Sequence, residues 1–418
     1  MEIIGTIIVY IMMACMIAGG IASMVRPNSG LGQQFVEGIY ALGPIFISVA
    51  GIFASIPYLS AFLEMVSLPA FQLVGADPAL ASTTIIATDM GGYQSADLLA
   101  ATRESWIMAM FTGFMAGATI VYSVPIGLRM IKQKDQKYFA LGIMCGFLSI
   151  PIGVFVASAI CLISEPMIRE FISADAEATY QLAMQWLPMC ANLIPLTVIC
   201  VLIAIGLKLV PNAMIKGFTV FGKFIDYAAR TVLIISIVEQ FTGLPSLIWT
   251  GWGFEPLIAY DAEHLSQCVE VIGCVAMMLA GAFPMVYLIR TYLAKPLGAI
   301  GRLFHLSDLA IAGILATAAN ALALFPMMKD MRAEDKVKTA AFAVCGSFII
   351  GDHLSFCATY QPTLIAPLFI GKLVAAVLAV VFTYWLALKK ARQLEEEEAL
   401  AEGQSEESAD VLEELMEG

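Results

Sequence analysis

The sequence predicts an all-α polytopic membrane protein, with about nine transmembrane helices and two re-entrant hairpins arranged as an inverted repeat. Three observations predict it: the apolar content, the length of the apolar runs, and the placement of basic residues between them. Of the 418 residues 60 % are hydrophobic and 13 % charged, with a mean hydropathy of +0.85. Soluble domains average about 45–50 % apolar and about 25 % charged, so a soluble enzyme, a nucleic-acid binder and a disordered scaffold are excluded. The runs are continuous and rich in Met, Ala, Ile and Leu, which separates helices from the alternating strands of a barrel.

A helix crossing about 30 Å of hydrocarbon needs about 20 residues. Runs of that kind lie near 3–25, 36–57, 104–129, 138–163, 182–209, 218–241, 267–290, 337–359 and 363–388. The first begins directly after Glu2 without a basic region, so it reads as a span rather than a cleavable leader. Segments 58–75 and 291–306 are mildly amphipathic and read as interfacial helices. Two shorter apolar segments, 77–101 and 308–328, carry polar breaks in the middle.

Basic residues concentrate in cytoplasmic loops. Here they fall in six clusters: Arg26; Arg129 to Lys137; Lys208 to Lys223; Arg290 to Arg302; Lys329 to Lys338; and Lys389 to Arg392. The loops between are acidic. All six clusters lie on one side only if 77–101 and 308–328 enter and leave on the same side. Nine crossings then put the N-terminus outside and the C-terminus in the cytoplasm. Most of the net charge of −12 belongs to the tail 389–418, which holds eleven acids and three bases; it reads as a solvated extension.

A repeat supports this layout. Asp77-Pro-Ala-Leu-Ala81 is echoed by Asp308-Leu-Ala-Ile-Ala312, and twelve residues after each aspartate come Asp89 and Asn320. The same offset of 231 pairs the spans 104–129 and 337–359, and Val36-Glu37 matches Val269-Glu270 with a slip of two. Each unit reads as span, interfacial helix, re-entrant hairpin, span. The predicted regions are an N-terminal span and loop (1–35), a first repeat (36–129), connecting spans (130–266), a second repeat (267–388) and the acidic tail (389–418).

Three polar breaks carry the candidate chemistry. In Asp89-Met-Gly91-Gly92-Tyr93 two glycines unwind a helix beside an aspartate. An Asp at a helix centre costs about 2.5–3.5 kcal/mol in hydrocarbon. The twelve residues up to Thr88 rise about 18 Å, which puts the hairpin tip near the midplane. There, free backbone is tolerated only inside protein or beside water. Asn320, followed by the helix-loosening Pro326, is the repeat partner and can both accept and donate. Gly351-Asp352-His353-Leu-Ser355-Phe356 interrupts a span with a carboxylate that can hold a cation and a histidine that can move or orient a proton. Substrate-binding candidates are therefore Asp89, Tyr93, Asn320, Asp352, His353, Ser355 and Phe356, with Gly91, Gly92, Gly351 and Pro326 as helix-break positions. Asp226 and Arg230 read as an intrahelical ion pair; Lys372 reads as a residue that snorkels or pairs with an acid; Pro188, Asn192 and Pro195 read as a kink. His264 and His305 read as surface residues. No metal site and no cofactor are expected: no CxxC occurs among nine cysteines, and GxxxxGK[ST], GxSxG and HExxH are absent.

The segments Asp89-Met-Gly-Gly, Gly206-Leu-Lys-Leu-Val-Pro211, Phe325-Pro-Met-Met-Lys-Asp-Met331 and Gly351-Asp-His-Leu-Ser-Phe356 resemble the ethanolamine utilisation membrane protein family over about residues 1–388. The resemblance implies a permease of the bacterial inner membrane that serves ethanolamine catabolism, with the substrate and the bilayer as partners, no nucleic acid, and self-association left open. Members carry Asn-Asn-Ile-Pro around the second hairpin; here Asn320-Ala-Leu-Ala and a later Pro326 replace it. Protonated ethanolamine needs a carboxylate or an aromatic face, plus hydrogen-bond groups. Asp89 and Asp352 offer charge, Asn320 and Ser355 hydrogen bonds, Tyr93 and Phe356 rings. The arrangement, though not the substrate, is similar to that of concentrative nucleoside transporters. Two other classes stay open: an ion-coupled carrier of another small amine or nucleoside-like solute, and an intramembrane aspartyl protease built on Asp226 and Asp352.

Overall fold

Backbone in hydrocarbon must satisfy its own hydrogen bonds, so apolar runs with few internal prolines fold as helices. The computed structural model describes residues 2–258 and 267–400. The first half contains α1 (Glu2–Val25), α2 (Gly30–Tyr40), α3 (Leu42–Ala54), α4 (Ile56–Gln72), α5 (Ala79–Ile85), α6 (Gly92–Leu99) and α7 (Arg103–Thr112). α7 runs on as a π-helical stretch, Gly113–Ser123, into α8 (Val124–Met130). Then come α9 (Gln136–Ser164), α10 (Trp186–Leu209), α11 (Pro211–Thr242) and α12 (Leu244–Ile248). The second half holds α13 (Cys268–Leu303), α14 (Asp308–Ala319), α15 (Ala333–Gly346), α16 (Asp352–Tyr360) and α17 (Ile365–Leu386).

Among the described residues seven helical segments are long and apolar enough to cross a membrane: Ile3–Val25, Gly30–Ala54, Arg103–Met130, Gln133–Ser164, Trp186–Leu209, Cys268–Leu293 and Pro362–Leu386. The protein is a helical, multi-pass membrane protein. Of the other two predicted spans, 218–241 lies within α11, which carries Lys216, Lys223, Asp226, Arg230 and Glu239. Residues 337–359 are split into α15 and α16 by an irregular turn at 347–351. Many large apolar side chains are left uncovered on α1, α10 and α11; on α1 they include Ile3, Tyr10, Ile17 and Met24, each seven residues from the last. One stripe of that spacing is what a helix facing lipid on one side presents.

Three local expectations need correction. The predicted span 267–290 and the interfacial piece 291–306 are one helix, α13, since neither Pro284 nor Pro296 ends it. The span near 36–57 is two helices meeting at Ala41, both in right-handed helical geometry. The acidic loop after α9 contains a short antiparallel strand pair, β1 (Met167–Ile168) with β2 (Tyr180–Gln181), too short to leave a periodic signal. Of the tail, residues 388–400 are helical and the remaining residues lie outside the described set, as does His264. His305 is exposed, as expected.

The interior is built around α9, which packs against α10, α15 and α17. Small residues permit the approach. A Cβ on Gly371 would stand 2.7 Å from the Gly153 carbonyl oxygen, and one on Gly142 2.4 Å from that of Val337.

Candidate functional site

The first helix break is a closed hairpin, α5 and α6 joined by a single 3-10 turn at Thr88–Met90. Asp77 fastens its base. Its Oδ1 accepts from Ala79 N (2.9 Å) and its Oδ2 from Ala101 N (3.0 Å), so one carboxylate joins the entry and the exit. Asn192 Oδ1 accepts from Asp77 N (2.7 Å), so Asn192 is a structural tie. Gly91 ends the turn at φ +94°, a conformation that favours glycine. Gly92 is needed for space, because a Cβ there would meet the Ala87 carbonyl oxygen at 2.6 Å.

The second break is looser. α14 ends at Asn320, whose Oδ1 accepts from Leu322 N (2.9 Å), and the chain returns through 3-10 turns that include Pro326. Its base aspartate, Asp308, has a side chain 95 % exposed and serves no such role. The third break, 347–351, is bound to the end of α14: Phe348 N donates to Thr317 O (3.1 Å) and Ile350 N to Ala318 O (3.0 Å). Gly351 lies against that strand-like contact, where a Cβ would stand 2.1 Å from the Ala319 carbonyl oxygen.

All three breaks open on one cavity of about 300 Å³, at the small end of ligand pockets. Asp89, Asn320, Asp352 and His353 line it together, although they are up to 264 residues apart in the chain. Asp89 Oδ1 is buried and has no hydrogen-bond partner among the described residues. The two carboxylates lie within electrostatic reach of each other, and Asp89 also of Lys372. Apart from Ser48, the remaining wall is largely apolar, with Val271, Ile272 and Val275 from α13 and the rings of Tyr122, Phe283 and Phe348.

Three candidates sit elsewhere. Tyr93 is fully buried, stacked on Trp106 with centroids 4.5 Å apart, and its hydroxyl accepts from Gln361 Nε2 (2.8 Å). Phe356 packs edge-on to Tyr93 at 5.6 Å, and Ser355 is buried with an Oγ unpaired among the described residues. None of the three is among the residues lining the cavity. The rings that do line it include Tyr122, which lies 231 residues before His353; the repeat offset itself points to it.

Lys372 departs from its reading in the sequence. It neither snorkels nor pairs with an acid among the described residues. Buried at 1 % exposure, its Nζ donates to Phe114 O (2.9 Å) and lies 2.9 Å from His353 Nδ1. On α11, Asp226 is held by Arg230 Nε (2.9 Å) and faces Arg129 of α8 (3.8 Å); it is not a cavity residue, and the carboxylate that shares the cavity with Asp352 is Asp89. Among the described residues no group of three or more His, Cys, Asp or Glu could hold a metal.

Comparison with known proteins adds the family. Residues 4–386 match the family described as ethanolamine utilisation protein, EutH. The chain belongs to the EutH family. A relative named "Probable ethanolamine permease EutH" from Listeria monocytogenes serotype 1/2a is 36 % identical over 385 residues, covering 92 % of this chain and 94 % of that one. Proteins of the same name from Salmonella typhimurium and Escherichia coli K12 are 34 % and 33 % identical, each covering 90 % of this chain and 94 % of their own length. No solved structure matches. The shared coverage takes in all three helix breaks of this EutH-family chain, and its kinship with permeases agrees with a multi-pass protein of the bacterial inner membrane.

Proposed function

We propose that this chain is an ethanolamine transporter rather than an enzyme, that it binds the protonated substrate between the three helix breaks, and that it moves it by uncoupled alternating access. The observation that carries the reading is the convergence of Asp89, Asn320 and Asp352 on one small cavity, with a carboxylate oxygen that has no partner among the described residues. Two carboxylates attract an ammonium, the Nδ2 of Asn320 can donate to a hydroxyl while its Oδ1 holds Leu322 N, and the rings of Tyr122, Phe283 and Phe348 suit the methylene groups and the cation face.

The layout proposed with it has nine crossings, two re-entrant hairpins from opposite sides, an outside N-terminus and a cytoplasmic C-terminus. Equivalent contacts at the offset of 231 favour an inverted repeat. A Cβ on Gly117 would stand 2.3 Å from the Ile86 carbonyl oxygen, while Phe348 N donates to the carbonyl of Thr317. The π-helical stretch Gly113–Ser123 then corresponds to the outright break in the second unit. Gating between two such units about a fixed midplane site is how inverted-repeat carriers work.

The test is uptake of labelled ethanolamine by proteoliposomes with and without proton or sodium gradients. Uptake that equilibrates without a gradient supports the reading, and no uptake under any condition overturns it. Uptake that concentrates substrate only against an ion gradient would replace the uncoupled mechanism by coupling. Single cysteines at the tips of the acidic and basic loops, labelled from one side, test the topology.

A further inference from the structure

A lysine beside a cation site repels the substrate, so its presence needs a reason. Lys372 is fixed in place, because neighbouring Gly371 sits against Gly153 where α17 crosses α9. Among the described residues its polar contacts are Phe114 O and His353 Nδ1, neither of them an anion. With Lys372 as an ammonium, which has no lone pair to offer, Nδ1 accepts and the ring proton of His353 belongs on Nε2. Neither contact neutralises the lysine. Its positive charge therefore acts on the cavity from one rank behind, through the His353 ring that lines it. Two carboxylates line the cavity and one ammonium stands behind its His353 wall, and burial makes an unbalanced charge costly.

We propose that Lys372 sets the valence of the site: with Asp89 and Asp352 it leaves one net negative charge, so the cavity takes a monoammonium and rejects a diammonium of the same size. Lys372 is thus a specificity-determining residue that positions His353 and does not touch the substrate. This rests on the reading of the cavity as a cation site. Ethanolamine brings one positive charge and closes the balance. Ethylenediamine, with a second ammonium in place of the hydroxyl, leaves one charge uncompensated. Without Lys372 the site carries two negative charges and suits the diamine instead.

The test uses the full-length protein in proteoliposomes near neutral pH, where the site carboxylates keep their charge, with labelled ethanolamine competed by ethylenediamine counted as its doubly protonated form. K372M and K372Q are expected to shift the ratio of half-inhibitory concentrations toward the diamine by about tenfold or more. K372R, which keeps the charge, is expected to retain the wild-type ratio. D352N/K372M, which restores the net charge, is expected to return the preference to the monoamine. A merely structural lysine would move uptake and stability, not this ratio. Equal ratios in K372M and K372R, or a double variant as diamine-tolerant as K372M, would overturn the proposal. Where K372M does not survive purification, thermal stabilisation of wild type, D352N and D352N/K372M by methylammonium and ethylenediamine reads the same preference. Failure of the double variant to favour methylammonium again overturns it. Wild type that takes up no ethanolamine counts against the substrate reading instead, and the methylammonium and ethylenediamine arm still reads charge selectivity.

Discussion

Replacing Asp89 with asparagine removes a charge and keeps the shape. Its Oδ1 is buried without a partner among the described residues, so no protein hydrogen bond at that oxygen is lost. A carboxylate about 4 Å from an ammonium, at an effective permittivity of about 20, attracts it by about 4 kcal/mol. Asp352 remains to hold part of the substrate charge, and the introduced amide oxygen still accepts a hydrogen bond. The net loss is set nearer that of a charge-assisted hydrogen bond, about 2 kcal/mol. That is a fall of roughly 30-fold in kcat/KM for ethanolamine. Stability should move the other way, because an unpaired buried charge is costly to the folded state. The assay pairs initial uptake rates in proteoliposomes with Tm in detergent. The expected result is uptake down and Tm unchanged or raised. Unchanged kcat/KM at low substrate, or loss of uptake accompanied by an equal loss of Tm in every preparation, would refute the assignment of Asp89 to the site.

Three further predictions concern protons, the breaks and the tail. With protonated ethanolamine and membrane potential held constant, lowering the external pH from about 7.5 to about 5.5 should slow initial uptake, since a proton on Asp89 or Asp352 cancels the charge that attracts the substrate; acceleration that vanishes in His353→Gln would mean proton coupling. Gly351→Ala and Gly117→Ala place a Cβ 2.1 Å and 2.3 Å from carbonyl oxygens of the neighbouring break and should each cost about 1–3 kcal/mol by thermal melting, whereas Gly273→Ala, with no described atom within 4 Å, should be neutral or stabilising. In the tail, burial pushes the Glu398 carboxyl up, but hydrogen bonds from Lys137 and Tyr138 outweigh it and hold it below the usual glutamate range. A carboxyl lowered in the folded state contributes stability above its unfolded value and loses it as pH falls through the folded one. Glu398→Gln should therefore lower Tm at pH 7 by under about 1 kcal/mol equivalent and make no difference in acid; an equal effect at both pH values would remove the ion pair as the cause.

Membrane class, most helix positions and the polar breaks are legible locally, for a simple reason. Hydrocarbon forces length and polarity onto each run separately, so Ile3–Val25 or Pro362–Leu386 announces itself without reference to the rest of the molecule. The breaks stand out on the same ground: Asp89 beside Gly91 and Gly92, and Asp352 after Gly351, are too costly in an apolar helix to be incidental. Asp89, Asn320, Asp352 and His353 stand at such breaks, and the structure gathers them around one cavity. What a break faces is another matter. Tyr93 and Phe356 look like available rings in the sequence, but Trp106 and Gln361 engage Tyr93 and the aromatic packing encloses Phe356. The rings on the cavity wall come from Tyr122, Phe283 and Phe348, on elements that only packing brings together. Lys372 shows the same limit. Its charge is visible in the sequence, but whether a lysine in a span reaches the interface or turns inward depends on what lies beside it. The Gly153–Gly371 crossing holds its backbone, and Phe114 O and His353 Nδ1 supply acceptors one helix away. The sequence by itself determined which residues could not rest in lipid; the tertiary structure decided which of them meet, because contact between distant segments is set by the close approach of helices and not by the polarity of either one.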